Sequence, residues 1–110
     1  MLKEIPVIEN ELDKSFEKYE KKFKALADKK RLQIMNILTK QGSTCVCDLI
    51  PIIGMPQSKL SYHLKILLDA DIIIKETKGT WSYYNINMKE VNHILSEELC
   101  CILKPEKNSK

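Results

Sequence analysis

The sequence predicts a mostly helical domain that carries one β-hairpin, and three observations lead there. Apolar residues recur at helical spacing in stretches that begin near Asn10, Lys29, Thr44, Gln57 and Met88. Between the last two, residues 71–77 and 80–86 are rich in β-branched and aromatic side chains and flank Lys78-Gly79. Finally, a short stretch with a glycine turn precedes the helix from Gln57 to Asp69, whose outer face is polar but nearly free of acids. Short helix, turn and second helix make a helix-turn-helix; with the hairpin as a wing, the fold is a winged helix-turn-helix.

Residues 1–9, with Pro6 and no clear period, read as an N-terminal arm. A first helix follows, with Asn10 as N-cap and Glu11 and Asp13 at its positive end. Leu12, Phe16, Tyr19, Phe23 and Leu26 form a coiled-coil-like seam on a helix otherwise crowded with Glu17, Lys18, Glu20, Lys21, Lys22 and Lys24. Such a seam asks for a helical partner, in this chain or in another. Asp28 caps a second helix, Lys29 to about Lys40, with Leu32, Ile34, Met35, Ile37 and Leu38 as its apolar face, and Gln41-Gly42-Ser43 ends it.

A short third helix is expected from about Thr44 to Ile53, burying Val46, Leu49, Ile50 and Ile53. Pro51 should bend or shorten it, since a proline inside a helix costs about 3 kcal/mol. Gly54 then turns the chain into the helix from Gln57, where Leu60, Leu64, Leu67 and Leu68 share one stripe. After the hairpin, with Trp81 and Tyr83 on one face and Tyr84 on the other, Asn87 and Glu90 read as a capping box. They open a last helix, Met88 to about Leu103, with Val91, Ile94, Leu95, Leu99 and Ile102 inward. The domain therefore spans residues 10–103, and residues 104–110 form a polar tail.

With 44% hydrophobic residues the chain can fill one core, not two. Its 18 basic and 15 acidic residues leave a net charge of +3, a weak pointer to nucleic acid by itself. The distribution says more. Ser58, Ser61, Tyr62 and Lys65 lie opposite the leucine stripe and carry groups that reach base edges and phosphates. With Gln57, Lys59, His63 at the stripe edge and Lys78 at the hairpin tip, they are the candidate contacts to double-stranded DNA. The bland alternative is a solvated helix face. No apolar run of about 18 residues spans a bilayer, and the N-terminus lacks the layout of a secretion signal. A cytoplasmic protein without a membrane partner is expected. No Cys-x-x-Cys, phosphate loop or His-Glu-x-x-His occurs, so neither an enzyme nor a small organic substrate is expected.

The order of these pieces resembles the ArsR/SmtB family of bacterial metal-responsive winged-helix repressors from Phe23 to Ile86. The residues that carry the resemblance are Phe23-Lys24-Ala25-Leu26-Ala27-Asp28, Arg31-Leu32, Cys45-Val46-Cys47-Asp48-Leu49, the block from Gln57 to Leu67, and Gly79-Thr80-Trp81-Ser82-Tyr83-Tyr84. The resemblance implies a homodimer built from the first and last helices, bound to a pseudo-twofold operator and released by a metal or metalloid. The sequence departs from the family pattern at Pro56, where a serine N-cap is usual; proline is tolerated at the first turn.

Cys45 and Cys47 carry the remaining chemistry. A helix N-terminus favours the thiolate, the form that binds soft ions, whereas an i, i+2 pair is poor disulfide geometry. Side chains at i and i+2 on a regular helix lie about 200° apart, so both sulfurs meet one ion only if the first turn is irregular. Coordination is then expected to distort the third helix and displace the recognition helix packed on it.

Cys-Val-Cys-Asp-Leu resembles the arsenic- and cadmium-responsive branches. Trivalent arsenic or antimony prefers three sulfurs, while cadmium, lead and zinc usually take four ligands. The resemblance places a third cysteine at position 50, which here is Ile50. Cys100 or Cys101 is then a candidate third ligand, or a small thiol or hydroxide completes the site. The arm has no cysteine, against the cadmium/lead branch, so arsenic leads. His93 and Glu97, with Glu90 near, are spaced to share zinc, although His93 reads more simply as a polar-face residue. A thiol-redox or persulfide sensor on the same fold is the competing reading, and constitutive DNA binding without a ligand is the third.

Overall fold

Asp28 sets the start of the helical core. In the computed structural model, which describes residues 10–94, helix α1 (Asn10–Leu26) ends just before it and α2 (Lys29–Gln41) begins just after. The Asp28 backbone is extended and its carboxylate accepts the Arg31 N–H at 3.1 Å, as expected of a helix cap. Gly42, at φ 76°, closes α2 by donating its N–H to Leu38 O.

The next residues depart from the expected helix. Thr44–Cys45 forms a short strand, β1, and α3 (Val46–Ile53) starts two residues later than expected. The reason is non-local: β1 pairs antiparallel with the second hairpin strand, Thr44 opposite Tyr84 and Cys45 opposite Tyr83. Helix α3 runs through Pro51, which removes the donor for one intrahelical bond, and Gly54 in the left-handed conformation ends it after eight residues. Helix α4 (Gln57–Asp69) follows Pro56, and the hairpin of β2 (Ile73–Lys78) and β3 (Trp81–Ile86) follows α4. The sheet order is β1-β3-β2, with Lys78 opposite Trp81 at the tip.

Ile34, Leu38, Leu49, Leu60, Leu64, Leu67, Ile72 and Ile73 make a fully buried centre, so α2, α3, α4 and β2 share one core. Contrary to expectation, α3 packs chiefly on α2 and β3; it meets α4 through that core and the turn at residues 54–56. The first helix divides its seam. Tyr19 enters the core and Leu26 packs against it, whereas Leu12, Phe16 and Phe23 remain 39%, 42% and 43% exposed. Helix α5 (Met88–Ile94) buries Ile94.

The expected capping box is not formed. Asn87 N–H donates to Ile72 O and its side-chain amide to Asp71 O, while Glu90 pairs with Lys22 of α1. The continuation of the last helix to Leu103, Cys100, Cys101, Glu97, the side chain of His93, the arm and the tail lie outside the described residues. Among the described residues no helix is long and apolar enough to cross a membrane.

Candidate nucleic-acid interface and thiolate site

Helix α4 turns Leu60, Leu64 and Leu67 inward and leaves Gln57, Ser58, Lys59, Ser61, Tyr62 and Lys65 in solvent. Tyr62 is 62% exposed, a large aromatic at mid-helix whose ring meets that of His63 edge-on, with centroids 5.3 Å apart. Lys65 forms an exposed pair with Asp69 at 3.4 Å, the weak kind that a phosphate can displace. Pro56 offers no side-chain cap, and the first turn of α4 has no acid. Its free amides and positive dipole end therefore suit a phosphate oxygen. Lys78 lies at the wing tip, its ammonium 5.1 Å from the centre of the Tyr83 ring.

His63 occupies a different place from the other predicted contacts. It is half-buried beside α2, and its Nδ1 lies 3.0 Å from Arg31 Nη1. Arginine carries only donors, so Nδ1 is the acceptor. Arg31 also donates from Nε to Ala25 O at 2.7 Å and from Nη2 to Lys24 O at 3.5 Å. One guanidinium thus closes the carboxyl end of α1 and holds the recognition helix. Sequence reasoning quoted Arg31 only as part of a motif and missed this role; an arginine three residues after a capping aspartate was the available signal.

The thiolate site is built on the β1–α3 junction. Cys45 is the N-cap of α3, with extended backbone (φ −70°, ψ 144°), and its sulfur accepts the Cys47 N–H at 3.1 Å. Cys45 is 3% exposed, whereas Cys47 faces solvent. The structure joins the two sulfurs as a disulfide, with the Cα atoms 5.1 Å apart. This corrects the expectation that the spacing disfavours such contact. That expectation assumed both residues inside a helix; with Cys45 outside it, the two side chains converge. The irregular first turn that joint ligation requires is therefore part of the fold. Among the described residues no cluster of three metal-ligating side chains is present.

The electrostatics support the frame more than the site. The Arg31 N–H donated to Asp28 holds that carboxyl below its ordinary range, against an opposing push from burial. Burial raises the Tyr84 hydroxyl, a shift that a hydrogen bond with Ser82 partly offsets.

A polar, acid-poor helix presented after a short helix and turn, with a basic hairpin tip beside it, defines a winged helix-turn-helix DNA-binding regulator, not an enzyme. Residues 28–75 match the family described as bacterial regulatory protein, arsR family. The chain is 70% identical over 87 residues to the arsenical resistance operon repressor of Bacillus subtilis, covering 79% of this chain and 83% of that one. It is 32% identical over 77 residues to the cadmium resistance transcriptional regulatory protein CadC homolog of Staphylococcus aureus, covering 70% and 64%. Among solved structures it is similar to the homodimeric winged helix-turn-helix DNA-binding domain of Mb0332 from Mycobacterium bovis, a possible ArsR-family transcriptional regulator. The TM-score is 0.72 at 25% identity, with 84% of each chain covered. This chain belongs to the arsR family of bacterial regulatory proteins.

Proposed function

We propose that the chain represses an arsenical-resistance operon as an operator-bound homodimer and releases DNA when Cys45 and Cys47 take up trivalent arsenic or antimony. The observation that carries this is the convergence of the two sulfurs at the N-cap of α3. Reduction of the pair yields two thiols already directed at one point, and the donated Cys47 N–H stabilises the Cys45 thiolate. Soft trivalent ions suit two thiolates and leave a third position for Cys100, Cys101 or a small external ligand. The 70% identity to an arsenical repressor favours arsenic over cadmium. Dimerisation has support in the uncovered Leu12, Phe16 and Phe23 of α1, an apolar row that a second copy would bury.

The contacts to DNA are assigned to Gln57, Ser58, Lys59, Ser61, Tyr62, Lys65 and Lys78, with His63 holding α4 through Arg31. Soft-ion capture acts at the β1–α3 junction, from which both the wing and the shared core are reached. By linkage, operator DNA weakens inducer binding by the same factor that inducer weakens DNA binding.

The test is titration of the reduced protein with arsenite while sulfur-to-arsenic charge-transfer absorbance and operator retention are followed, for wild type and each single cysteine-to-serine variant. Absorbance and DNA release that vanish in both Cys45→Ser and Cys47→Ser support the reading. Equal arsenite affinity with and without operator overturns it. Parallel titrations with antimonite, cadmium, lead and zinc rank the inducers.

The disulfide contact favours a second reading, a thiol-redox or persulfide sensor on the same pair. There a peroxide would take two electrons and two protons as the sulfurs join. Release of operator by peroxide or a persulfide donor, with arsenite inert, would decide for it.

A further inference from the structure

Lys22 sits in a run of lysines that sequence alone assigns to a solvated face, and Lys21 and Lys24 are indeed exposed. Lys22 is not: it is 2% exposed. Its ammonium donates to Ala70 O at 2.6 Å and lies 3.3 Å from Glu90 Oε1. Ala70 is the C-cap of the recognition helix and Glu90 belongs to α5, so one buried cation joins α1, α4 and α5.

We propose that Lys22 is a positioning residue for operator binding, setting the angle at which α4 leaves the α1–α5 frame. The inference rests on the dimeric, operator-binding reading above. Burying an ammonium is strongly unfavourable unless it is paired, so an apolar side chain would fill this space at lower cost. A charge adds direction. The negative end of the α4 dipole and the Glu90 carboxylate attract the ammonium from two sides, and rotation of α4 would withdraw Ala70 O and leave the cation underpaired. In a dimer that reads two half-sites, the recognition helices must stand about 34 Å apart. A few degrees at the base of α4 move its reading end along the groove, and Lys22 restrains that angle.

The test compares wild type, Lys22→Met, Lys22→Met combined with Glu90→Gln, and Lys22→Arg on the promoter DNA of its own operon, and on versions with the half-sites one base pair closer or farther. Thermal midpoint and dimer state are measured alongside. Lys22→Met combined with Glu90→Gln, which removes both charges, is expected to stay near the wild-type thermal midpoint, whereas Lys22→Met alone, which takes away the ammonium that Glu90 and Ala70 O share, is expected to lower it. The operator affinity of Lys22→Met is expected to fall about tenfold, with discrimination between the three spacings largely lost. Lys22→Arg, which keeps charge and donors, is expected to recover the discrimination.

Unchanged affinity and spacing preference in a folded Lys22→Met would overturn the proposal. So would affinity that falls only in step with the thermal midpoint, as a purely structural role requires. Should Lys22→Met not fold, Glu90→Gln removes the counter-charge at constant shape and carries the same two outcomes. Failure of the wild type to bind would overturn the repressor reading and this one together. Binding by the wild type with no change in the variants overturns this one alone.

Discussion

Cys45 stands directly opposite Tyr83 in the β1–β3 ladder. One of the two candidate thiolates is thus a backbone neighbour of the strand that carries the wing. The same Tyr83 ring lies under the Lys78 ammonium, and Lys78 pairs across the hairpin with Trp81. A disturbance at Cys45 therefore has a short physical route to the hairpin tip proposed to contact DNA, one that does not pass through α4.

Trp81 is the only tryptophan in the chain and is 52% exposed. Arsenite added to the reduced, DNA-free protein is expected to change its emission, and Cys45→Ser is expected to abolish the change. A silent Trp81 alongside normal operator release would mean that the signal reaches DNA through α4 alone.

The N-cap role of Cys45 separates its structural from its chemical contribution. Serine caps well, so Cys45→Ser is expected to lie within a few tenths of a kcal/mol of wild type, whereas Cys45→Ala should lose about 1 kcal/mol by urea denaturation. Both should be blind to arsenite.

Phe16 lies midway along the uncovered row of α1. Phe16→Glu is expected to yield monomers by sedimentation at concentrations where wild type is dimeric. Operator affinity should fall at least about tenfold, since a monomer engages one half-site. Dimers that persist in this variant would place the interface elsewhere.

Asp28 predicts an acid-side loss of stability. Its folded pKa is depressed, chiefly by the Arg31 N–H, so the unfolded chain takes up the proton first. The contribution is present above the unfolded value of about 3.9 and is lost as pH falls through the folded value. Asp28→Asn, which keeps a capping oxygen, should show a shallower fall in urea midpoint below about pH 4.

Arg31→Met is expected to loosen α4 by cutting its link through His63 to the end of α1. Operator affinity should drop while arsenite-dependent absorbance stays at the wild-type level. Equal loss of both would mean that the substitution unsettles the whole domain.

The helices, the wing and the polar arc of α4 were legible because their signals are local. Leu60, Leu64 and Leu67 repeat at the period of a helix, and Ser58, Ser61, Tyr62 and Lys65 fall opposite them by the same geometry. Cys45 was misplaced for the opposite reason. Its preference for a strand comes from Tyr83, far along the chain, and that pairing makes the sulfurs converge. Asn87 and Glu90 had the spacing of a capping box, yet better partners at Ile72 and Lys22 took them.

By itself the sequence determined which stretches become helix or strand, which faces are apolar, and that two cysteines share a helix start, because periodicity and spacing are written into neighbouring residues. Only the tertiary structure decided that Lys22 is buried between α4 and α5, that Arg31 grips His63, and that Cys45 leads into the wing. A buried charge or a strand register has no meaning until distant groups arrive to satisfy it, and that satisfaction is a property of the packed chain.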